Sequence, residues 1–538
     1  MIIDWQIKEI ICQFFNYLSF ENIILIIYKF LEENKKMDKK DIKIVIGANF
    51  GDEGKGLMTD YFASQVDFNK KALVICSNGG AQRGHTVLLI EGMQTKEGYK
   101  EIKQRHVFHH FGSGTFEGAD TYLSSDFIVN PMQFHTEYEE LEKEFHIQPK
   151  VYVNNNCKMS TPWDMMLNQI LEESRSSKKH GSCGMGIYET IHRYENMGFV
   201  NLKYIKKHPE YLKQIQKDYT TSRLREMNVT ISSGWNRLLY DDGIVDAFME
   251  DLDFFFNHVV FMDDRIMRSN TYSTLIFECA QGLLLDQSNM EYFPHLTPSN
   301  TGCKNPWNLI KNTFKDNEYD LEVCYVSRSY MTRHGAGLFK SECAKELINP
   351  DMVDETNVPN PHQDSLRYGT LDFEALVSRT KKDDELIDVP HTYSLALTHL
   401  NEYYPDELKQ KLEHFDGQLY VSRGQTCHDV ANFTKNIEEV RLVNICTEID
   451  DCISKHDKLS ETIIAKFEKC LDAYIKKTNF ERPMPKEYKN VLENLKKMYM
   501  YGEIEILDEQ QIILYGYLLG YMNVFLTYEE KCKKKKDN

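Results

Sequence analysis

Residues 42–65 read "IKIVIGANFGDEGKGLMTDYFASQ". An apolar, β-branched run leads into a glycine-rich loop and then into a stretch with helical periodicity, the strand–loop–helix opening of an α/β protein. The loop resembles a phosphate cradle of the form G-x-x-x-x-G-K-[ST] but departs from it twice. Asn49 stands at the first glycine and Gly56 at the hydroxyl, while Asp52 and Glu53 sit inside the loop ahead of Gly54 and Lys55. A carboxylate beside a triphosphate is tolerable if it binds Mg2+ or takes a proton from a substrate held there. Gly51, Gly54 and Gly56 allow backbone N–H groups to turn toward an anion, and Lys55 adds a charge. Taken alone, the loop is equally an ordinary strand-to-helix turn with solvated charges.

The strand signal repeats along the chain. "ALVICSN", "STLIFECA", "EVCYVSRSY", "YSLALTHL" and "QLYVSRG" are further buried-strand candidates. Between them "FIVNPMQFHTEYEELEKEF" and "STPWDMMLNQILEESR" each place a capping residue, Asn130 or Thr161, before a proline at the first helical position. Strands alternating with helices predict a large, mostly parallel central sheet flanked by helices, with ligands in the loops after the strands. The α/β domain is expected over 41–430. An N-terminal helical extension is expected over 1–40 and a C-terminal helical one over 431–538. Met37 is an alternative start, since "MDKKDIKIVIGAN" opens naturally on the first strand.

Composition narrows the class. The 538 residues are 41% hydrophobic and 27% charged, with a net charge of −18, which argues against a nucleic-acid partner. Thirteen scattered cysteines, with no C-x-x-C pair, fit reduced thiols in the cytoplasm. The apolar N-terminus is interrupted by Asp4, Lys8, Glu9, Glu21 and Lys29, so no run reaches the ~18 uncharged residues of a membrane span.

A second loop, "SNGGAQRGHTV" at 77–87, presents His85 just before a strand. A lone histidine is more often structural. Two glycine-rich loops after the first two strands, one offering an acid and one a histidine, suit phosphoryl transfer to an oxygen nucleophile. Arg83 in this loop is balanced between a phosphate contact and a solvated charge.

Together these stretches resemble the adenylosuccinate synthetase family. "GANFGDEGKG" and "GGAQRGHT" are similar to its two opening motifs, and "FECAQGLLLD", "YFPHLTPSNTG", "MTRHGAGLF" and "YGTLD" follow in the family's order. The resemblance spans about residues 42 to 430. It implies a Mg2+-dependent, P-loop-related ligase that phosphorylates the 6-oxygen of IMP with GTP and displaces the phosphate with aspartate, as a homodimer. By resemblance Asp52 is the base for the IMP N1 proton and a metal ligand together with the Gly84 carbonyl. His85 donates to the transferring phosphate. Gly51, Glu53, Gly54, Lys55 and Gly56 form the phosphate loop, with Glu53 shaping it, and Gly424 joins the nucleotide set. Gln281 and Thr297 hold IMP. An intact Asp52 favours a 6-oxopurine without a 2-amino group.

Three departures fall in substrate loops. His399 and Asn401 in "THLN" replace a Lys and the Asp that reads guanine; an amide cannot accept both guanine protons, which opens ATP as the alternative to GTP. "NPHQDSLRYGTLD" keeps only Arg367 where the family has several arginines, so the amino-acid substrate is either aspartate, through His362, Gln363 and Arg367, or another amino acid. In "GSCGMGIYETIHR", Cys183 takes the place of a threonine at the IMP phosphate, and Arg193 is the candidate arginine for a neighbouring subunit's site. A non-catalytic nucleotide-binding protein is the remaining alternative.

Overall fold

The computed structural model describes residues 39–433, leaving aside 68, 96–97, 176–180, 353–365 and 416. Residues 1–38 and 434–538 of the two expected extensions, with Met37, and the candidates His362 and Gln363 lie outside the described residues; Lys40 opens the first strand and 431–432 lie in the last, neither in a helix. The chain divides into two compact units. One runs to Tyr404 and takes in Arg423–Asp429; the other comprises Pro405–Ser422 and the residues from Val430 on.

The larger unit is built on strands β1 (Lys40–Gly47), β2 (Lys71–Cys76), β3 (Asp120–Leu123), β4 (Val151–Val153), β5 (Val259–Phe261), β6 (Tyr272–Gly282), β7 (Tyr319–Arg328) and β8 (Thr392–Thr398). They lie side by side in the order β8-β7-β1-β6-β2-β3-β4-β5, and every neighbouring pair is parallel. Ile42, Ile44, Val45 and Ile46 are all fully buried, as expected of a central parallel strand covered on both faces. This is why the strands read as unbroken apolar runs. The strand order reverses at β1, between β6 and β7, and parallel strands put all their C-terminal loops at one edge.

The capping signals hold. Asn130 accepts a hydrogen bond from the Gln133 amide ahead of helix Pro131–Phe145, and Thr161 and Asp164 form a reciprocal capping box on helix Pro162–Ser174. These helices and the helix Asp242–His258 pack Phe134, Trp163, Leu252 and Phe255 into one core with Phe108 and Phe111. The smaller unit contains helix Asp406–Glu413 and an antiparallel pair, Gln418–Ser422 with Val430–Asn432. Among the described residues no helix is long and apolar enough to cross a membrane, and the described cysteines are free thiols.

Candidate active site

The loop after β1 is held by its own glutamate. Glu53 is 2% exposed. It accepts from the amides of Asn49 at 2.7 Å and Gly51 at 3.0 Å, and pairs with Lys55 Nζ at 3.4 Å. Burial pushes its carboxyl up against the pull of Lys55. Its oxygens are thus used inside the loop, which Glu53 shapes from within. The turn needs left-handed backbone at Gly51 (φ 100), Asp52 (φ 58) and Gly54 (φ 95), which glycine adopts freely and Asp tolerates. Lys55 then opens helix Lys55–Ser64.

Asp52 stands at the crest, its side chain 31% exposed and Oδ2 at 3.3 Å from His334 Nε2. Its carbonyl accepts from Arg328 Nε at 2.6 Å. Thr398, at the end of β8, donates to the Glu53 carbonyl at 2.8 Å, and His399 Nδ1 lies 2.7 Å from the same hydroxyl. His399, with φ 61, is thus anchored beside the loop, and Asn401 follows in an exposed turn. Gln281, also left-handed at φ 65, closes β6 next to Gly51. A Cβ on Gly56 would meet His85 Cβ at 3.1 Å, so this glycine lets the helix pack against the second loop.

His85 is almost fully buried, with Nδ1 2.7 Å from Glu278 Oε1. Burial lowers the imidazole to about 4 against the pull of Glu278. Burial pushes Glu278 up, but His85 and Arg83 outweigh it and hold the carboxyl at about 2. The ionised Glu278 takes the Nδ1 proton as a hydrogen bond and leaves Nε2 as the acceptor of a neutral ring. Glu278 also accepts from the Ser113 amide at 3.1 Å and from the Ser113 hydroxyl. Gly84, beside His85, is exposed.

Arg83 is 1% exposed. It donates to the carbonyls of His109 and Phe111 at 2.6 and 2.7 Å and faces Glu278 at 3.4 Å. It is a structural cation, not a loop charge for phosphate. The neighbouring Gln82 side chain has neither its amide nitrogen nor its oxygen hydrogen-bonded within the protein.

Three further candidates stand farther out. The Cys183 loop meets the site through Gly181, packed against Gly335, two residues from Arg333; burial raises the Cys183 thiol. Thr297 is fixed through its amide to the Leu285 carbonyl at 2.9 Å, in a loop whose Leu285 and Leu296 pack against the cluster containing Phe50. Arg333 lies 4.4 Å over that Phe50 ring. Gly424 sits in a turn pinned by Asp429 to Thr426.

Two candidate arginines are engaged within the chain. Arg193 is fully buried and forks onto Asp164 at 2.9 Å through both Nε and Nη2, with a further bond to the Met159 carbonyl at 2.6 Å. These bonds turn the guanidinium inward, onto its own chain. Arg367 grips Glu342 and donates to the carbonyls of Gly335 and Gly337 at 3.2 and 2.9 Å. Its fork braces the loop that carries His334.

Glu278, Arg328 and His334 carried no assigned role in the sequence, although the first two gave a signal. A charged residue inside an apolar strand, as in "LIFECAQ" or "CYVSRSY", needs a buried partner. His334 stands where the resembling motif has valine.

An acid-bearing glycine loop and a carboxylate-held histidine, both presented at the C-terminal edge of a parallel sheet, make a ligand site of the α/β class. The adenylosuccinate synthetase sequence profile matches residues 44–383. The chain belongs to the adenylosuccinate synthetase family, a family of carbon–nitrogen ligases. A relative of that name from Chlorobium chlorochromatii is 25% identical over 430 residues, covering 76% of this chain and 86% of its own. Another from Thermoplasma volcanium is 26% identical over 364 residues, covering 65% and 75%. The structure of fully ligated adenylosuccinate synthetase from Plasmodium falciparum superposes with a TM-score of 0.50 at 19% identity, over 67% of this chain and 77% of its own. That is a likeness of fold.

Proposed function

We propose that this purine nucleotide ligase phosphorylates the 6-oxygen of IMP with GTP and then displaces the phosphate with the amino group of aspartate, giving adenylosuccinate. The observation that carries the reading is Asp52, an accessible carboxylate on a loop whose other acid is buried, in the same loop cluster as the carboxylate-held His85. In the first step Asp52 takes the N1 proton as O6 attacks the γ-phosphorus, releasing the nucleoside diphosphate. In the second, the amine attacks C6, inorganic phosphate leaves and the amine loses a proton. The unpartnered Gln82 amide offers one donor and one acceptor to the purine edge. His85, neutral in the free protein, gains its Nε2 proton as the γ-phosphate arrives, because phosphate and Glu278 together favour the cation.

Oxygen donors from Asp52 and Gly84 suit Mg2+ completed by water and phosphate. When bound, that ion supplies charge neutralisation on the transferring group. Asn401 and the engaged Arg367 support the second reading, a ligase with ATP or another amino acid in place of GTP or aspartate. A cytoplasmic homodimer goes with either.

The test is product formation with Mg2+ and IMP, crossing GTP or ATP with aspartate or an amino-acid pool, for the native chain and Asp52→Asn. Adenylosuccinate with GTP, lost by a factor of ~10² or more in the variant, is the expected result. Product only with ATP or a different amino acid establishes the second reading. Near-native turnover in Asp52→Asn removes Asp52 as the base.

A further inference from the structure

A second cluster of ligand-type groups lies along the helix that begins at Lys55. Asp60 on this helix, Glu117 at the end of the short turn Ser113–Glu117, and Cys427 each offer one atom, and the three atoms lie within 4.8 Å of one another. They line a cavity of about 40 Å³ walled by strand residues 87–90 and by Phe116 and Thr426, with His428 in the same lining. A cavity needs only ~10–15 Å³ to hold a water, so an ion with a water or two fits.

The cluster is unbalanced as it stands. Asp60 is 3% exposed, and its Oδ1 has no hydrogen-bond partner. Among the described residues no lysine or arginine lines the cavity. A buried carboxylate oxygen without a donor, facing another carboxylate and a thiol, is costly. Proton sharing between Asp60 and Cys427 would quiet the charge and still leave Oδ1 unmatched. A divalent cation answers both demands at once.

We propose that Asp60, Glu117 and Cys427 form a zinc-type cation site, with water or His428 in the fourth position. A thiolate with carboxylate oxygens selects Zn2+ or Co2+ over Mg2+. Tetrahedral bonds of ~2.0–2.3 Å require the ligand atoms to draw together, and Glu117, which is exposed, has the freedom to do so. The site is separate from the Mg2+ role of Asp52. It ties residues 426–429, including the turn that holds Gly424, to the helix carrying Lys55. Binding takes the thiolate form of Cys427, so uptake is accompanied by acid release.

The experiment uses the full chain, stripped with a chelator and titrated with Co2+ in the presence of saturating Mg2+. One equivalent of Co2+ should give tetrahedral d–d absorption with a thiolate charge-transfer band and raise the melting temperature. Excess Zn2+ should abolish the absorption. Cys427→Ala should lose the thiolate band, and Asp60→Asn should weaken Co2+ binding by more than the roughly 10–100-fold that loss of an outer-shell partner costs. Using both variants guards against either one failing to fold. Absence of a thiolate band at saturating Co2+, or a band that survives unchanged in the variants that fold, overturns the proposal.

Discussion

At the residue scale the site turns on buried groups that answer one another. Glu278 receives His85, Arg83 and Ser113 together, so its removal strands a buried arginine as well as freeing the imidazole. Glu278→Gln is expected to cost about 3–5 kcal/mol of stability and to lower kcat more than it raises KM for the nucleotide, read from steady-state kinetics and thermal melting. The histidine also leaves a pH signature. Its value falls from the ordinary 6.5 to about 4 on folding, so the stability it supports is complete above pH 6.5 and is lost as pH falls toward 4. His85→Asn should flatten that part of the melting-temperature profile by up to about 3 kcal/mol; an unchanged profile would mean the ring is charged in the free protein. The sequence exposed Asp52 and His85 because glycines surround them. It could not expose the Arg83–Glu278 pairing, whose members are 195 residues apart and meet only through the β6–β2 register.

At the element scale the first loop is a backbone device, and its tightness comes from a different strand. The end of β6 passes so close that a Cβ on Gly282 would fall 2.3 Å from the Asn49 carbonyl oxygen and 2.7 Å from the Gly51 nitrogen. Those are main-chain atoms that cannot swing aside. Gly282→Ala should cost about 1–3 kcal/mol and raise KM for the nucleotide by displacing the loop. Gly118→Ala, at φ 77 with nothing within 4 Å, should cost about 1–2 kcal/mol of backbone strain and leave KM alone. The loop after β8 carries the nucleotide question. Asn401→Asp restores an acceptor for both guanine protons, so the ratio of kcat/KM for GTP over ATP should rise by about tenfold or more. No shift would place base recognition on another element.

At the scale of the whole molecule, the parallel sheet was legible because fully covered strands are continuous apolar runs bounded by glycine loops. The intervening helical segments were less so. Leu202, Leu212 and Phe248 find their core only after the chain has folded back onto helices Pro131–Phe145 and Pro162–Ser174, and their polar neighbours mask the period. Substrate loops were the least legible, because a matching position does not say where a side chain turns. Arg193 is the clearest case, a candidate for a shared site that folds inward onto Asp164. The two readings differ sharply in a paired variant. Removing Arg193 alone leaves Asp164 as an uncompensated buried charge, worth about 3–5 kcal/mol. Replacing both partners, Arg193→Met with Asp164→Asn, removes the charges together and should recover most of that loss. If Arg193 is internal, the paired variant regains turnover along with stability. If it served a neighbouring subunit, the paired variant would melt near the native temperature and remain inactive, and mixing it with Asp52→Asn subunits would restore activity. We expect recovery in the paired variant and no gain on mixing, measured as product formed per folded chain.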